Sequence, residues 1–159
     1  MNTGYKKLNE MLNGGFLSSK SVLVSTGPYI QKDQFINNFI LANTLSNIHC
    51  VVISDYKFEQ IYKFDPKYAH IFTWGTAINT FREKEFKVNS FDTLNFLLDY
   101  CLLKLEGTVI FVVNLLSVYE DIKRALLFTK ILNNKIHIIH GLGLFFAPFD
   151  FFFRLSSFF

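Results

Sequence analysis

Four short runs, VLV at 22–24, CVVIS at 50–54, TVIFVV at 108–113 and IHII at 136–139, constrain the fold more than anything else in this chain. Each is uncharged and rich in β-branched residues at consecutive positions. A strand apolar on both sides needs a sheet covered on both faces, which is the setting of parallel strands. Between the runs lie segments with helical periodicity. Phe35, Ile36, Phe39 and Ile40 line one side of a helix expected over 33–45, and Leu94, Leu97, Leu98, Cys101, Leu102 and Leu105 form a longer stripe that Ser90 can cap and Gly107 can close. Ser117 and Glu120 have capping-box spacing for a further helix to about Leu132. Strand and helix in alternation predict a doubly wound α/β domain, its sheet mostly parallel, with right-handed crossovers and helices on both faces.

The remaining segments are less regular. Tyr5, Leu8 and Leu12 share a helical face that Gly14 and Gly15 end, because glycine accepts the left-handed conformation of a helix stop. Phe58, Ile61 and Tyr62 suggest a short helix stopping before Pro66, and 71–74 a short strand. Residues 75–89 mix Arg82, Glu83, Lys84, Glu85 and Lys87 with Phe81 and Phe86 and read as a solvated loop. Lysine and phenylalanine together can also contact nucleic acid, but the interleaved glutamates oppose that.

Length and composition limit the function classes. A chain of 159 residues, half of them hydrophobic and 20 of them Phe, suits one domain with a sizeable core. Its net charge is +3, with 16 Lys and Arg scattered among 13 acids, so nucleic acid is only weakly supported as a partner. Cys50 and Cys101 lack metal-ligand or C-x-x-C spacing and read as buried free thiols. With no apolar signal core near Lys6 and Lys7, the expected location is cytoplasmic. His49, His70, His137 and His140 share no metal-ligand spacing, and no metal site is expected. After His140 the pattern changes. The tail 144–159 is apolar but interrupted by Pro148 and Asp150, too short for a transmembrane helix. It reads as a final edge strand plus an apolar end needing a partner, a homo-oligomer or a membrane surface.

One stretch suggests chemistry. From Val22 to Ile40 the chain reads strand, turn, lysine and helix, the layout of a phosphate-binding loop, in which main-chain N–H groups surround phosphates and a lysine neutralises them. With Lys32 as that lysine, Thr26 and Gln31 stand where the loop has glycines, and Asp33 stands where a hydroxyl ligates magnesium. A simple strand followed by a helix cap fits the same residues.

Upstream, Thr3-Gly4, Leu8-Asn9, Leu12 and Gly14-Gly15 resemble the T-G-x-x-x-L-D-x-x-L-x-G-G segment of KaiC-like and RadA-like ATPases in the RecA superfamily. The resemblance covers roughly 3–140. It implies a RecA-like fold over 1–143, with a degenerate nucleotide site at Thr26, Gly27, Pro28, Gln31, Lys32 and Asp33. It places Asn114 at the position of the Walker B aspartate, Asp55 at the end of the second strand near a catalytic glutamate's position, and His140 at a nucleotide-sensing strand end. With these replacements no catalytic residue is assigned, and ATP with magnesium is expected to bind weakly at most. The function implied is a non-hydrolysing regulatory or assembly subunit, acting as a homo-oligomer or with a RecA-like partner. The alternative is a slow ATPase of the KaiC or RadA type tied to recombination or signalling.

Overall fold

The computed structural model describes residues 1–17, 20–25, 29–54, 60–75, 77–114 and 142–147. In chain order the elements are α1 (Lys6–Met11), β1 (Lys20–Ser25), α2 (Tyr29–Thr44), β2 (His49–Ser54), β3 (Ala69–Thr73), β4 (Ile78–Phe81), β5 (Lys84–Lys87), α3 (Phe91–Lys104), β6 (Val109–Asn114) and β7 (Leu142–Ala147). Five parallel strands form one sheet in the order β1-β7-β6-β2-β3, while β4 and β5 form a separate antiparallel hairpin.

The consecutive apolar residues of the strands are used on both faces. Successive side chains leave a strand on opposite sides, so Cys50 and Val52 join Ile110 and Val112 against Ile36, Phe39 and Ile40 of α2. Val51 and Ile53 join Phe111 and Val113 against Leu94, Leu97, Leu98 and Cys101 of α3. The leucine stripe of α3 is buried as its spacing predicts, and both cysteines are buried free thiols. At the start of α3 the Ser90 hydroxyl accepts the Thr93 N–H at 3.2 Å, while the Thr93 hydroxyl accepts the Ser90 N–H at 3.0 Å. Two first-turn donors are thus satisfied reciprocally.

Four expectations change. The helix expected over 33–45 begins at Tyr29, so the turn after β1 is shorter than the sequence suggests. The charged segment 75–89 contains a hairpin instead of a loop. Asn79, Phe81 and Phe86 are buried and the other residues of the two strands exposed, and Lys84 shares the phenylalanine side, its Nζ 4.3 Å from the Phe96 ring centre and 5.7 Å from that of Phe86. Arg82, the first residue after β4, takes a φ of 55°, as the mirror-image turns of tight hairpins require. Residues 60–65 are not helical: the Ile61 N–H is captured at 3.0 Å by the buried side-chain carbonyl of Asn37. Finally, the apolar tail contributes β7, which lies between β1 and β6 and not at an edge, and the expected boundary at 143 falls inside it. Its uncharged LGLFFA sequence is that of an interior parallel strand. The helix expected over 117–132, the strand over 136–139 and the end of the tail at 148–159 lie outside the described residues.

The N-terminal segment packs on the outer side of α2. Asn9 Oδ1 accepts both the N–H and the hydroxyl of fully buried Thr3, each at 2.8 Å. Asn43 on α2 donates to the carbonyl of Asn2 at 2.7 Å, and Asn38 donates to the Tyr5 hydroxyl at 2.8 Å. Gly4, at a φ of +84°, lies so close to α2 that an added Cβ would stand 2.6 Å from the Asn38 carbonyl group. Gly15, at a φ of +108°, would put a Cβ 2.1 Å from the Met1 carbonyl oxygen. The glycine and asparagine positions of the T-G…L-N…G-G pattern therefore have a local purpose: they let the segment fold back on itself and approach the helix backbone.

Candidate functional site

Because all five strands run the same way, their C-terminal ends share one edge of the sheet. Ser25 ends β1, Ser54 ends β2 and Asn114 ends β6, with Ser54 and Asn114 directly paired. Only β7 separates β1 from β6, so the ends of those strands stand two strand spacings apart, about 10 Å. In open α/β sheets, ligands bind in the crevice outside this edge.

The helix that follows β1 brings Lys32 to the same edge. Lys32 is the fourth residue of α2 and is 4 % exposed, a depth at which lysine is rare. Asp33 follows it, half-buried. The fully buried Asn37, one turn further along, donates to the Asp33 carbonyl at 2.8 Å and accepts from Ile61, so it ties α2 to the chain that follows β2. Tyr62 donates to Asn38 Oδ1 at 2.9 Å and extends that tie.

The local geometry differs from a phosphate loop in one decisive respect. β1 ends at Ser25 and α2 begins at Tyr29, so only residues 26–28 connect them. Tyr29, Ile30 and Gln31, which the motif would place in a loop curling round the phosphates, are helical. Among the described residues, the main-chain donors at this end are the first-turn N–H groups of α2, aligned along the helix. Thr26, Gly27 and Pro28 lie outside the described residues, as do Asp55 and His140. Of the expected residues, those described are Gln31, Lys32 and Asp33 near the start of α2, which follows β1, and Asn114 at the end of β6.

Among the described residues at this edge, position 33 carries a carboxylate where the phosphate-loop motif has a hydroxyl, and β6 ends at Asn114 where the motif has a carboxylate. Among the described residues, no group of three or more His, Cys, Asp or Glu side chains is placed to hold a metal ion. Neither thiol is poised as a nucleophile, since burial pushes both Cys50 and Cys101 up to about 12.

Sequence reasoning missed a second polar feature, at the outer edge of β3. The side-chain amide of Asn79 accepts the Thr73 N–H at 2.7 Å and donates to the Thr73 carbonyl at 3.0 Å, standing in for a neighbouring strand. The signal was a single buried polar residue within a period-two run. No family model matches the chain, and no curated protein matches it.

Proposed function

We propose that this chain is a doubly wound, RecA-like α/β protein whose nucleotide edge no longer supports phosphoryl transfer, and that it acts as a regulatory or assembly subunit. The observation that carries the reading is the C-terminal edge of the sheet. What supports it is that β1 runs to Ser25 and α2 begins at Tyr29 with Lys32 buried in its first turn, while β6, at the same edge, ends in Asn114 and not in a carboxylate. Phosphoryl transfer depends almost entirely on positioning and charge, so an edge without either is a scaffold for binding and not for turnover.

Assembly is supported by what the N-terminal segment leaves in water. α1 buries none of its residues, and Met11 and Leu17 are 73 % and 72 % exposed, with Leu12 between them also exposed. Apolar side chains grouped in this way are suited to cover by a second copy or a RecA-like partner. Among the described residues, no helix is long and apolar enough to cross a membrane.

The burial of Lys32 favours a second reading, retention of weak ATP binding with slow hydrolysis of the KaiC or RadA type. Two measurements separate the readings: phosphate release from ATP with magnesium, and sedimentation of the wild type beside Met11→Asp/Leu17→Asp. The assembly reading expects background phosphate release and an association that the double variant weakens. Turnover abolished by Lys32→Ala would replace it with the slow-ATPase reading, and a wild type that stays monomeric with no partner bound would remove it.

A further inference from the structure

We propose that the outer edge of β3 carries a binding pocket for a phosphate monoester, separate from the edge where the strands end. The cavity has a volume of about 420 Å³, and its wall includes Lys67, His70, Ile71, Thr80, Phe81 and Arg82. It opens beside the first half of β3, whereas Lys32 and Asn114 belong to the opposite ends of the strands.

The backbone of β3 supplies the first element. The Cys50 N–H donates to the Tyr68 carbonyl and the Trp74 N–H to the Ser54 carbonyl, so the parallel ladder turns the main-chain groups of Ala69, Ile71 and Thr73 away from β2. The Ala69 N–H is taken by the Asp65 carbonyl at 2.9 Å, and both groups of Thr73 are taken by Asn79. That leaves the N–H of Ile71 as the main-chain donor at the pocket wall, with no partner among the described residues. A peptide adding as an extra strand needs several consecutive open residues. With Asn79 closing one end and Asp65 the other, the edge is too short for a strand, and a small ligand fits where a peptide does not.

Charge selects the ligand's sign. Lys67 and Arg82 enter the wall from different directions, one before β3 and the other from the hairpin turn, and no carboxylate lines the cavity among the described residues. Of the acids close by in sequence, Asp65 uses its carboxylate to accept the Lys67 main-chain N–H at 2.8 Å, and Glu83, next to Arg82, is exposed and is not part of the wall. The Arg82 guanidinium lies 5.9 Å from the Phe81 ring centre, which holds the fork above an aromatic floor. His70 stands edge-on to the same ring at 4.9 Å, and its Nε2 is 3.3 Å from Nδ1 of His49, so one imidazole donates to the other. Burial lowers both imidazoles below their ordinary range, with His49 and the Arg82 charge adding to it for His70 and the Arg82 charge for His49, while Lys67 and Arg82 both belong to the wall, the Lys67 Nζ standing 5.0 Å from the Tyr68 ring centre.

Two divergent cations, a main-chain N–H and the Thr80 position suit a tetrahedral dianion better than a planar carboxylate, which one guanidinium can satisfy alone. The cavity exceeds what a bare phosphate fills, and its aromatic floor at Phe81 accommodates a compact organic group attached to it.

The test is a titration of the ¹⁵N-labelled full chain with inorganic phosphate and, separately, with phenyl phosphate, at constant ionic strength. The expected result is saturable movement of the Ile71 amide and the His70 ring signals with both probes, tighter for phenyl phosphate. Arg82→Gln and Lys67→Gln, both at exposed positions, should each weaken binding about tenfold, the loss of one charge-assisted hydrogen bond, with unchanged thermal unfolding. Tighter binding of inorganic phosphate than of phenyl phosphate would overturn the monoester assignment. Shifts that fail to saturate, that spread over surface lysines generally, or that survive in both variants would overturn the pocket itself. Because Lys32→Ala leaves every pocket residue intact, phosphate shifts that persist in that variant separate this site from the strand-end edge.

Discussion

The two faces of the sheet are closed by different chemistry. On the α3 face, Phe72, Phe81 and Phe86 pack with four helix residues, the Tyr100 ring lies 6.0 Å from Phe81 and 5.1 Å from Phe86, and Trp74 packs on the same cluster with its ring 6.1 Å from Phe91. On the α2 face the core is smaller, and buried asparagines hold the outer layer in place: Asn37 and Asn43 are both fully buried and both hydrogen-bonded across elements. Apolar packing tolerates small shifts, whereas a buried amide works only when its partners are placed correctly. The α3 face therefore contributes more to stability, and the α2 face more to the placement of the N-terminal segment and the strand-end edge.

That contrast can be broken by substitution. Leu97 is fully buried at the centre of the larger cluster, so Leu97→Ala should lower unfolding free energy by about 2–5 kcal/mol in urea denaturation, since the cavity adds to the lost transfer energy. A cost below that of Asn43→Ala would reverse the ranking of the two faces.

Acid should act next, and on the α3 face. Burial, the neighbouring His49 and the Arg82 charge lower the His70 imidazole to about 4 from its ordinary 6.5. The folded state thus binds its proton later than the unfolded chain as pH falls. Stability from this group is complete above about 6.5 and is lost as pH drops towards 4, by about 1–2 kcal/mol once solvent around the half-buried ring is counted. Urea midpoints at about pH 7 and about pH 4.5 would measure the loss, which His70→Gln should remove.

Asn43→Ala should cost about 1 kcal/mol. The variant loses the bond to Asn2, but it also removes a side-chain oxygen that is buried without a hydrogen-bond partner among the described residues. Its distinctive effect is local: amide exchange over residues 1–16 should quicken while that of β2 and β6 stays slow. Uniform quickening across the sheet would show that the amide supports the whole core. The smallest expected effect is Ser90→Ala, at about 0.5–1 kcal/mol, measured as a lowered denaturation midpoint with an unchanged slope.

Legibility followed the range of the interaction. The stripe of α3, the Ser90 cap and the doubly covered strands β2 and β6 could be read because each is written in spacings of a few residues. The β4–β5 hairpin was equally written in period two, but the density of charge around Phe81 and Phe86 hid it. The start of α2 was misplaced because Tyr29, Ile30 and Gln31 carry no capping signal, and a turn residue and a first-turn residue look alike without their backbone. At the candidate edge, Lys32 was visible as a residue type and its burial was not.

The sequence by itself determined the strands β2 and β6, the helix α3 with its Ser90 cap and which side of α3 is apolar, since local periodicity and capping depend only on near neighbours. Only the tertiary structure decided that β7 enters between β1 and β6, that Asn114 and Ser54 end side by side, and that Asn79 closes the edge of β3 opposite a pair of cations. Those arrangements join residues far apart in the chain. The pairing order of parallel strands is set by which faces the crossover helices can cover, a choice that no run of neighbouring residues contains.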